Sequence, residues 1–222
     1  MTDFQHPDDW LRLAFHHYQT GNLQAAIDVY RDAQAQHCMT EVMFSNLGAH
    51  LQDLGNWTDA EIAYRQALTL NPLYAGALYN LGHLMSLAHR HMEAETLLRR
   101  AVEVKPDYAD AYISLGHLLA QAGDLDESMA CFDAAEALTP NSSLPPIARL
   151  FNLAYLPSTT ASDMCDGAIR ATAHFAQSNG NLKPRTPLKV IRVGFVSGDF
   201  KDHPVGYFIE NLLRHVDRDK FE

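Results

Sequence analysis

One segment near the C-terminal end of the sequence carries side chains that could move a proton. Ser197, Asp199 and His203 follow directly after the apolar residues 188–196. That β-branched run predicts the first strand of a parallel sheet, and the turn after such a strand lies where open α/β folds bind ligands. An imidazole with a pKa of about 6.5 can act as acid or base near neutral pH. The alternative is a loop histidine that caps the next helix.

A second set of polar side chains recurs at a fixed interval. Asn46 and Asn80 lie 34 residues apart, each directly before a Leu-Gly pair, and Arg12 and Ser114 occupy the same place one interval earlier and later. An amide both donates and accepts hydrogen bonds, so a row of amides can hold an extended peptide backbone without reading its sequence. We predict that Asn46 and Asn80 bind peptide. The alternative is that asparagine is simply tolerated at an exposed position.

The histidines do not form a metal-ligand pattern, although the chain has 12 of them. His16 and His17 are adjacent, and His89 and His91 are too close in sequence to share one helix face. No cysteine or acidic residue joins either pair at the spacing that zinc sites use. We therefore expect no metal and no cofactor.

The residues with possible chemistry lie on a repeat whose period is 34 residues. Leu-Gly pairs, alanines and prolines all recur at this interval, at Leu47-Gly48, Leu81-Gly82 and Leu115-Gly116, at Ala67, Ala101 and Ala135, and at Pro72, Pro106 and Pro140. We predict four units without insertions, 7–40, 41–74, 75–108 and 109–142. The period and its small residues resemble the tetratricopeptide repeat, which implies an α-solenoid whose first helices line a concave, peptide-binding face.

Each conserved-spacing position has a physical role in a pair of packed helices. Glycines at 48, 82 and 116 are predicted to face Ala60 and Ala94, so that the helices approach closely. Prolines end the second helix of each unit. Gly21, Gly55 and Gly123 occupy the turn within a unit, and His89 takes that place in the third, where we expect strain. The apolar helix positions of Met85, Met92 and Met129 predict core residues.

Composition and charge narrow the classes of function. The chain has 222 residues with a net charge of −10, and residues 1–142 alone carry 19 acidic and 7 basic residues. No extended basic stretch exists for nucleic acid, and no apolar run approaches the length of a membrane span. The N-terminus lacks the features of a secretory signal. Cys38, Cys131 and Cys165 are far apart, which predicts reduced thiols and a cytoplasmic location.

The texture of the sequence changes after Pro140. Residues 143–178 predict a helical linker of two helices, the second opening at Ser162 and Asp163 with apolar positions that include Cys165 and Ile169. Residues 179–187 predict a loop, and residues 188–222 predict a strand and a helix. One strand and one helix do not make an independent α/β domain, so this last segment is expected to be the incomplete start of one.

The C-terminal segment resembles a known family of enzymes. The run Arg192-Val193-Gly194-Phe195-Val196-Ser197-Gly198-Asp199-Phe200, with His203-Pro204 after it, is similar to the opening of the catalytic domain in the O-linked N-acetylglucosamine transferase and SPINDLY group of protein glycosyltransferases. Asp219-Lys220-Phe221-Glu222 also matches that group. The resemblance implies a mainly α chain: a tetratricopeptide solenoid followed by the truncated start of an α/β catalytic domain of the GT-B, Rossmann-like type.

The resemblance also implies a reaction and its residues. Such enzymes transfer a sugar, here N-acetylglucosamine from UDP-N-acetylglucosamine or else fucose, to Ser or Thr of proteins without a metal. His203 matches an active-site histidine that is a possible general base, and Asp199 is a weaker catalytic candidate. The donor-binding lobe would lie beyond residue 222, so the chain alone is expected to be inactive. The alternative is a tetratricopeptide scaffold that binds peptides or partner proteins, with no nucleic acid and no membrane as partner.

Overall fold

The repeated glycines and prolines divide the chain into short helices joined by tight turns. The structure, a computed structural model, describes residues 6–142, 144–153, 156 and 159–178. The helices in these ranges are, in chain order, α1 (Pro7–Gln19), α2 (Leu23–Ala35), α3 (Glu41–Asp53), α4 (Trp57–Leu70), α5 (Ala75–Leu87), α6 (His91–Val104), α7 (Ala109–Ala122), α8 (Leu125–Leu138), α9 (Leu144–Leu153) and α10 (Ala161–Ser178). The predicted α-solenoid is confirmed there. The predicted loop 179–187 and the strand and helix of 188–222 lie outside the described residues.

Helices pair closely because a glycine on the first helix makes room for a large side chain on the second. A Cβ atom added to Gly48 would lie 2.6 Å from Cε1 of Tyr64, and one added to Gly116 would lie 2.8 Å from Cε1 of Phe132. Real Cβ atoms do not approach so near, so glycine is required at this contact. The prediction named only alanines as the facing residues, whereas the tightest contacts are with these larger side chains.

The turn inside each pair needs a left-handed residue. Gly21, Gly55 and Gly123 have φ values of 76°, 78° and 88°, and His89 adopts the same region with φ 58°. A residue with a Cβ atom is disfavoured in this conformation. The strain predicted for the third turn is therefore confirmed at His89.

The core is a continuous stack of side chains from these helices. Leu81, predicted to lie between units, is buried, as are Met85 and Met129. Met92 was predicted to be buried as well, but 81% of it is exposed. That prediction was wrong because Met92 sits in the first turn of α6, on the side that faces solvent.

Ion pairs between successive second helices repeat with the same period. Arg65 pairs with Glu61 on its own helix and with Glu93 on α6, and Arg99 pairs with Glu95 and with Glu127 on α8. The Arg99 hydrogen bonds hold the pKa of Glu127 below its ordinary value. Each arginine therefore bridges one helix pair to the next on the side of the solenoid formed by second helices.

The last described helices are joined to the repeats by a buried polar chain. The Ser128 hydroxyl donates to the Gly116 carbonyl at 2.6 Å, and the Asn152 side-chain nitrogen donates to the Ser128 oxygen at 2.7 Å. Ser128 stands where Ala60 and Ala94 stand in earlier units. This substitution fixes α9 against α7 and α8, since each polar group here has a partner in the interior.

Helix α10 begins one residue earlier than predicted and buries a different face. Thr160 caps it, because its hydroxyl accepts from the Asp163 backbone N–H at 3.2 Å while Asp163 accepts from the Thr160 backbone N–H at 2.8 Å. This reciprocal cap replaces the predicted start at Ser162. Cys165 and Ile169, predicted as apolar-face residues, are exposed. Gly167 instead packs on Leu153, which lies 2.9 Å from the position of an added Cβ.

The strained turn at His89 predicts a stabilising substitution. His89→Gly should raise the free energy of unfolding by about 1 kcal/mol, because glycine adopts a positive φ without the Cβ clash. Gly55→His is the reciprocal variant and should lower it by a similar amount. Thermal unfolding followed by circular dichroism measures both. Equal stability of all three proteins would contradict the strain assigned to His89.

The Arg99–Glu127 pair predicts an acid-dependent contribution to stability. The folded-state pKa of Glu127 lies below its ordinary 4.5, so the stabilisation is present above that pH and is lost as the pH falls through the folded-state pKa. Glu127→Gln should lower the melting temperature near neutral pH, by on the order of 0.5 kcal/mol, and the difference from wild type should shrink toward about pH 3.

The matched control for this experiment is Glu103→Gln. Glu103 is exposed on α6 and makes no ion pair in the described part of the chain. Its substitution should leave the melting curve close to wild type from neutral to acid pH. A pH-independent difference between wild type and Glu127→Gln would contradict the assignment.

Candidate functional site

The first helices of the repeats present one row of polar side chains. Helix α3 contacts α5, and α5 contacts α7, so equivalent positions on these helices follow one another along the stack. The position before each Leu-Gly pair is half-buried at Asn46, Asn80 and Ser114, and it is exposed at Arg12. The structure thus places the predicted peptide-binding residues Asn46 and Asn80 on neighbouring first helices.

Neighbouring side chains hold the members of this row in place. The Asn80 side-chain nitrogen donates to the Ser45 hydroxyl on the preceding first helix at 3.3 Å. Burial raises the pKa of Tyr30, and a hydrogen bond between Tyr30 and Asn46 opposes that shift. Each amide has further donor and acceptor sites beyond these single bonds, so the row is oriented and still able to bind a peptide backbone.

An aromatic groove opens beside this row at the N-terminal end of the described chain. It has a volume of about 540 Å³ and is lined by Leu11, Arg12, Phe15, Tyr18, Tyr30, Asn46 and His50. Phe15 is 57% exposed and Tyr18 is 48% exposed, which is unusual for aromatic side chains that serve only the core. We call this feature the α1–α3 groove.

His50 forms part of the groove and was not identified from the sequence. The Tyr18 ring stacks on its imidazole with centroids 4.8 Å apart, and the Tyr30 ring lies 5.9 Å away on centroids. Only 9% of His50 is exposed, and its Nδ1 atom is buried without a hydrogen-bond partner. Burial lowers the pKa of His50, although the nearby charge of Asp53 opposes this, so the ring is neutral at pH 7.

A departure from the repeat could have revealed His50. The equivalent positions in the third and fourth units are Leu84 and Leu118, and both leucines are buried. A histidine where the other units place a core leucine is a polar exception inside an apolar layer. Such exceptions are candidates for functional positions because a buried polar group without full hydrogen bonding is costly.

Other reactive residues stay apart in the described ranges. Within them no group of three or more His, Cys, Asp or Glu side chains is placed to hold a metal ion. Cys38, Cys131 and Cys165 are free thiols, and burial raises the pKa of Cys131 to about 11. Among the described helices, none has the length and apolar character needed to cross a membrane. Asp199 and His203, the predicted catalytic residues, lie outside the described residues.

Comparisons with known families and proteins identify the repeat. Two family models, each described as "Tetratricopeptide repeat", match residues 39–107 and 88–143. The chain therefore carries tetratricopeptide repeats, as its period predicts. No curated protein matches the chain.

Several solved structures share the solenoid fold. A crystal structure of MamA has a TM-score of 0.68 and 18% identity, covering 76% of this chain and 97% of that chain. PilF of Pseudomonas aeruginosa has a TM-score of 0.67 and 21% identity, covering 77% of this chain and 75% of that one. At these identities the likeness shows the fold alone.

One enzyme is also among the similar structures. A mutant of the Thermobaculum terrenum O-GlcNAc transferase has a TM-score of 0.60 and 27% identity over 82% of this chain. The match spans only 36% of that enzyme's own chain. The enzyme's activity therefore enters below as a proposal.

Proposed function

We propose that this chain binds partner proteins through the face formed by α1, α3, α5 and α7. The observation that carries the proposal is the row of half-buried polar side chains at Asn46, Asn80 and Ser114, oriented by hydrogen bonds between neighbouring repeats. A solenoid of stacked helix pairs offers an extended surface to an elongated ligand. Preformed side chains lower the conformational entropy that binding costs.

The chemistry of the row favours a peptide over a small molecule. Amide and hydroxyl groups one repeat apart match the regularly spaced carbonyl and N–H groups of an extended backbone. The row runs along several helices instead of closing around a single cavity. Recognition by such groups tolerates many peptide sequences, so specificity must come from features beside the row.

A second candidate function is that of a protein O-glycosyltransferase, of which this chain would be the N-terminal portion. Two observations favour it: the motif from Arg192 to Pro204 and the 27% identity to the Thermobaculum terrenum enzyme. In this proposal the repeats recruit the acceptor protein. The later segments, a linker at 143–178, a loop at 179–187 and a catalytic start at 188–222, carry the chain into the α/β domain.

The proposed reaction assigns a role to His203. The oxygen of an acceptor Ser or Thr attacks the anomeric carbon of UDP-N-acetylglucosamine, and the bond from that carbon to the diphosphate breaks with its electron pair going to UDP. The hydroxyl proton must leave the acceptor, and a neutral imidazole can take it. Asp199, in the same segment, is proposed to position His203 or the substrate.

Replacing both amides tests the peptide-binding proposal. Asn46→Ala with Asn80→Ala should weaken a peptide selected from a random 12-residue library by about tenfold, because each lost hydrogen bond contributes about 1 kcal/mol. Titration calorimetry measures the affinity, and circular dichroism confirms the fold.

The control for the amide variant removes two amides from second helices. Gln34→Ala with Gln66→Ala should bind the same peptide as tightly as wild type, since these residues lie on α2 and α4. Unchanged affinity of the Asn46, Asn80 variant would refute the role of the row. Failure of the wild-type chain to select any peptide would refute the proposed function itself.

The enzyme proposal is tested in a chimaera in which this chain replaces the corresponding part of the Thermobaculum terrenum O-GlcNAc transferase. His203→Ala should reduce sugar transfer from UDP-N-acetylglucosamine by about 10²–10⁴-fold, as expected for loss of a positioned base. His91→Ala, an exposed histidine on α6, is the control and should transfer at the parent rate. The 222-residue chain alone should show no transfer. A fully active His203→Ala chimaera would contradict the role of His203.

A further inference from the structure

The α1–α3 groove has a composition that the polar row does not explain. Its walls are the apolar and aromatic side chains of Leu11, Phe15, Tyr18 and Tyr30, and Phe15 and Tyr18 are largely open to solvent. Exposed aromatic side chains around a cavity are typical of sites that accept an apolar group. Asn46 borders the same groove, so an apolar group held there would be continuous with a backbone bound along the row.

The basic residues of the repeats are already engaged. Residues 1–142 contain seven arginines and lysines, and five of these form ion pairs with acidic side chains: Arg12, Arg31, Arg65, Arg90 and Arg99. Arg100 donates to the Pro72 carbonyl at 3.1 Å. The Lys105 ammonium lies 4.7 Å from the centre of the Tyr108 ring. An anionic ligand would therefore find no unengaged cation here.

Acidic residues are in excess and several have no ionic partner. Among the described residues, Asp53 on α3 and Asp110 on α7 are exposed and form no ion pair. Asp53 lies near enough to His50 for its charge to act on that ring. Arg12, the cation that lines the groove, is paired with Asp9. The first-helix face thus carries a negative field beside an apolar groove, which attracts cationic ligands.

These observations together define the ligand. We propose that the α1–α3 groove binds an aromatic or long aliphatic side chain of a partner segment that also carries lysine or arginine. The apolar side chain packs between Phe15 and Tyr18, and a neighbouring cationic side chain lies near Asp53. This inference rests on the proposed peptide-binding function and names the class of peptide.

The geometry favours this ligand over the alternatives. A side chain of the size of Phe, Trp or Leu fits within a groove of about 540 Å³ and leaves space for the flanking backbone. The stacked rings of Tyr18 and His50 offer a flat surface to such a group. An acidic segment would meet the charge of Asp53 with no free cation to compensate it, so its binding is disfavoured.

The test uses the whole chain and a random 12-residue peptide library displayed on phage. Wild type should enrich peptides that combine Phe, Trp or Leu with Lys or Arg. A synthetic peptide of the enriched sequence should bind about tenfold or more weakly to Phe15→Ser, since a buried aromatic contact is lost. Asp53→Asn should weaken the same peptide, and added salt should weaken wild-type binding but affect Asp53→Asn less.

Matched controls separate the groove from general surface effects. Phe151→Ser removes an equally exposed phenylalanine from α9, and Asp126→Asn removes an exposed carboxylate from α8. Both should bind the peptide as wild type does. Circular dichroism should show that all four variants keep the helical content of wild type, which is expected because the replaced side chains are exposed.

Each other outcome overturns the proposal in an identifiable way. Enrichment of acidic peptides, or of peptides without an apolar side chain, refutes the ligand class while the peptide-binding function stands. No enrichment at all refutes the peptide-binding function as well. Peptide binding that appears only after removal of residues 1–5 would show that the chain's own N-terminus fills the groove. A dimer that Phe15→Ser converts to a monomer would show that a second copy does.

Discussion

The close approach of paired helices at one glycine is the constraint on which the other features of this solenoid depend. Gly48 and Gly116 leave no space for a Cβ atom because Tyr64 and Phe132 fill it. A large side chain inserted at a glycine fixes both the distance and the register of the two helices. Every following unit inherits that geometry through the 34-residue period, and so equivalent residues align along the stack. The row of Asn46 and Asn80 exists because the helices beneath it cannot slide.

Departures from the period give the individual units their properties. Ser128 replaces an alanine and thereby anchors Asn152 of α9. His50 replaces a core leucine and brings a neutral polar ring to the wall of the α1–α3 groove. His89 replaces a turn glycine at the expense of backbone strain. The repeat supplies the scaffold, and the exceptions join it to the next helices and shape its surface.

The sequence predicted the fold well because its signals are local. Proline and glycine act on the backbone within a few residues, so Pro72 and Gly55 mark helix ends without knowledge of tertiary structure. The polar row was also predictable, since the period alone aligns Asn46 with Asn80. The groove was not, because the burial of His50 depends on Tyr18 and Tyr30 from another unit. The wrong prediction for Met92 has a similar origin: the side of α6 that faces solvent is set by packing.

Charge pairing links the two sides of the solenoid. Arginines on the second helices, such as Arg65 and Arg99, are bound by glutamates of the same and the next unit. These pairs leave the described repeats with few cations and an excess of carboxylates, among them Asp53 on a first helix. The same ion pairs that connect the units therefore also determine the sign of the field at the opposite face. A partner with basic side chains meets that field before any contact forms, and the apolar groove then distinguishes it from other cations.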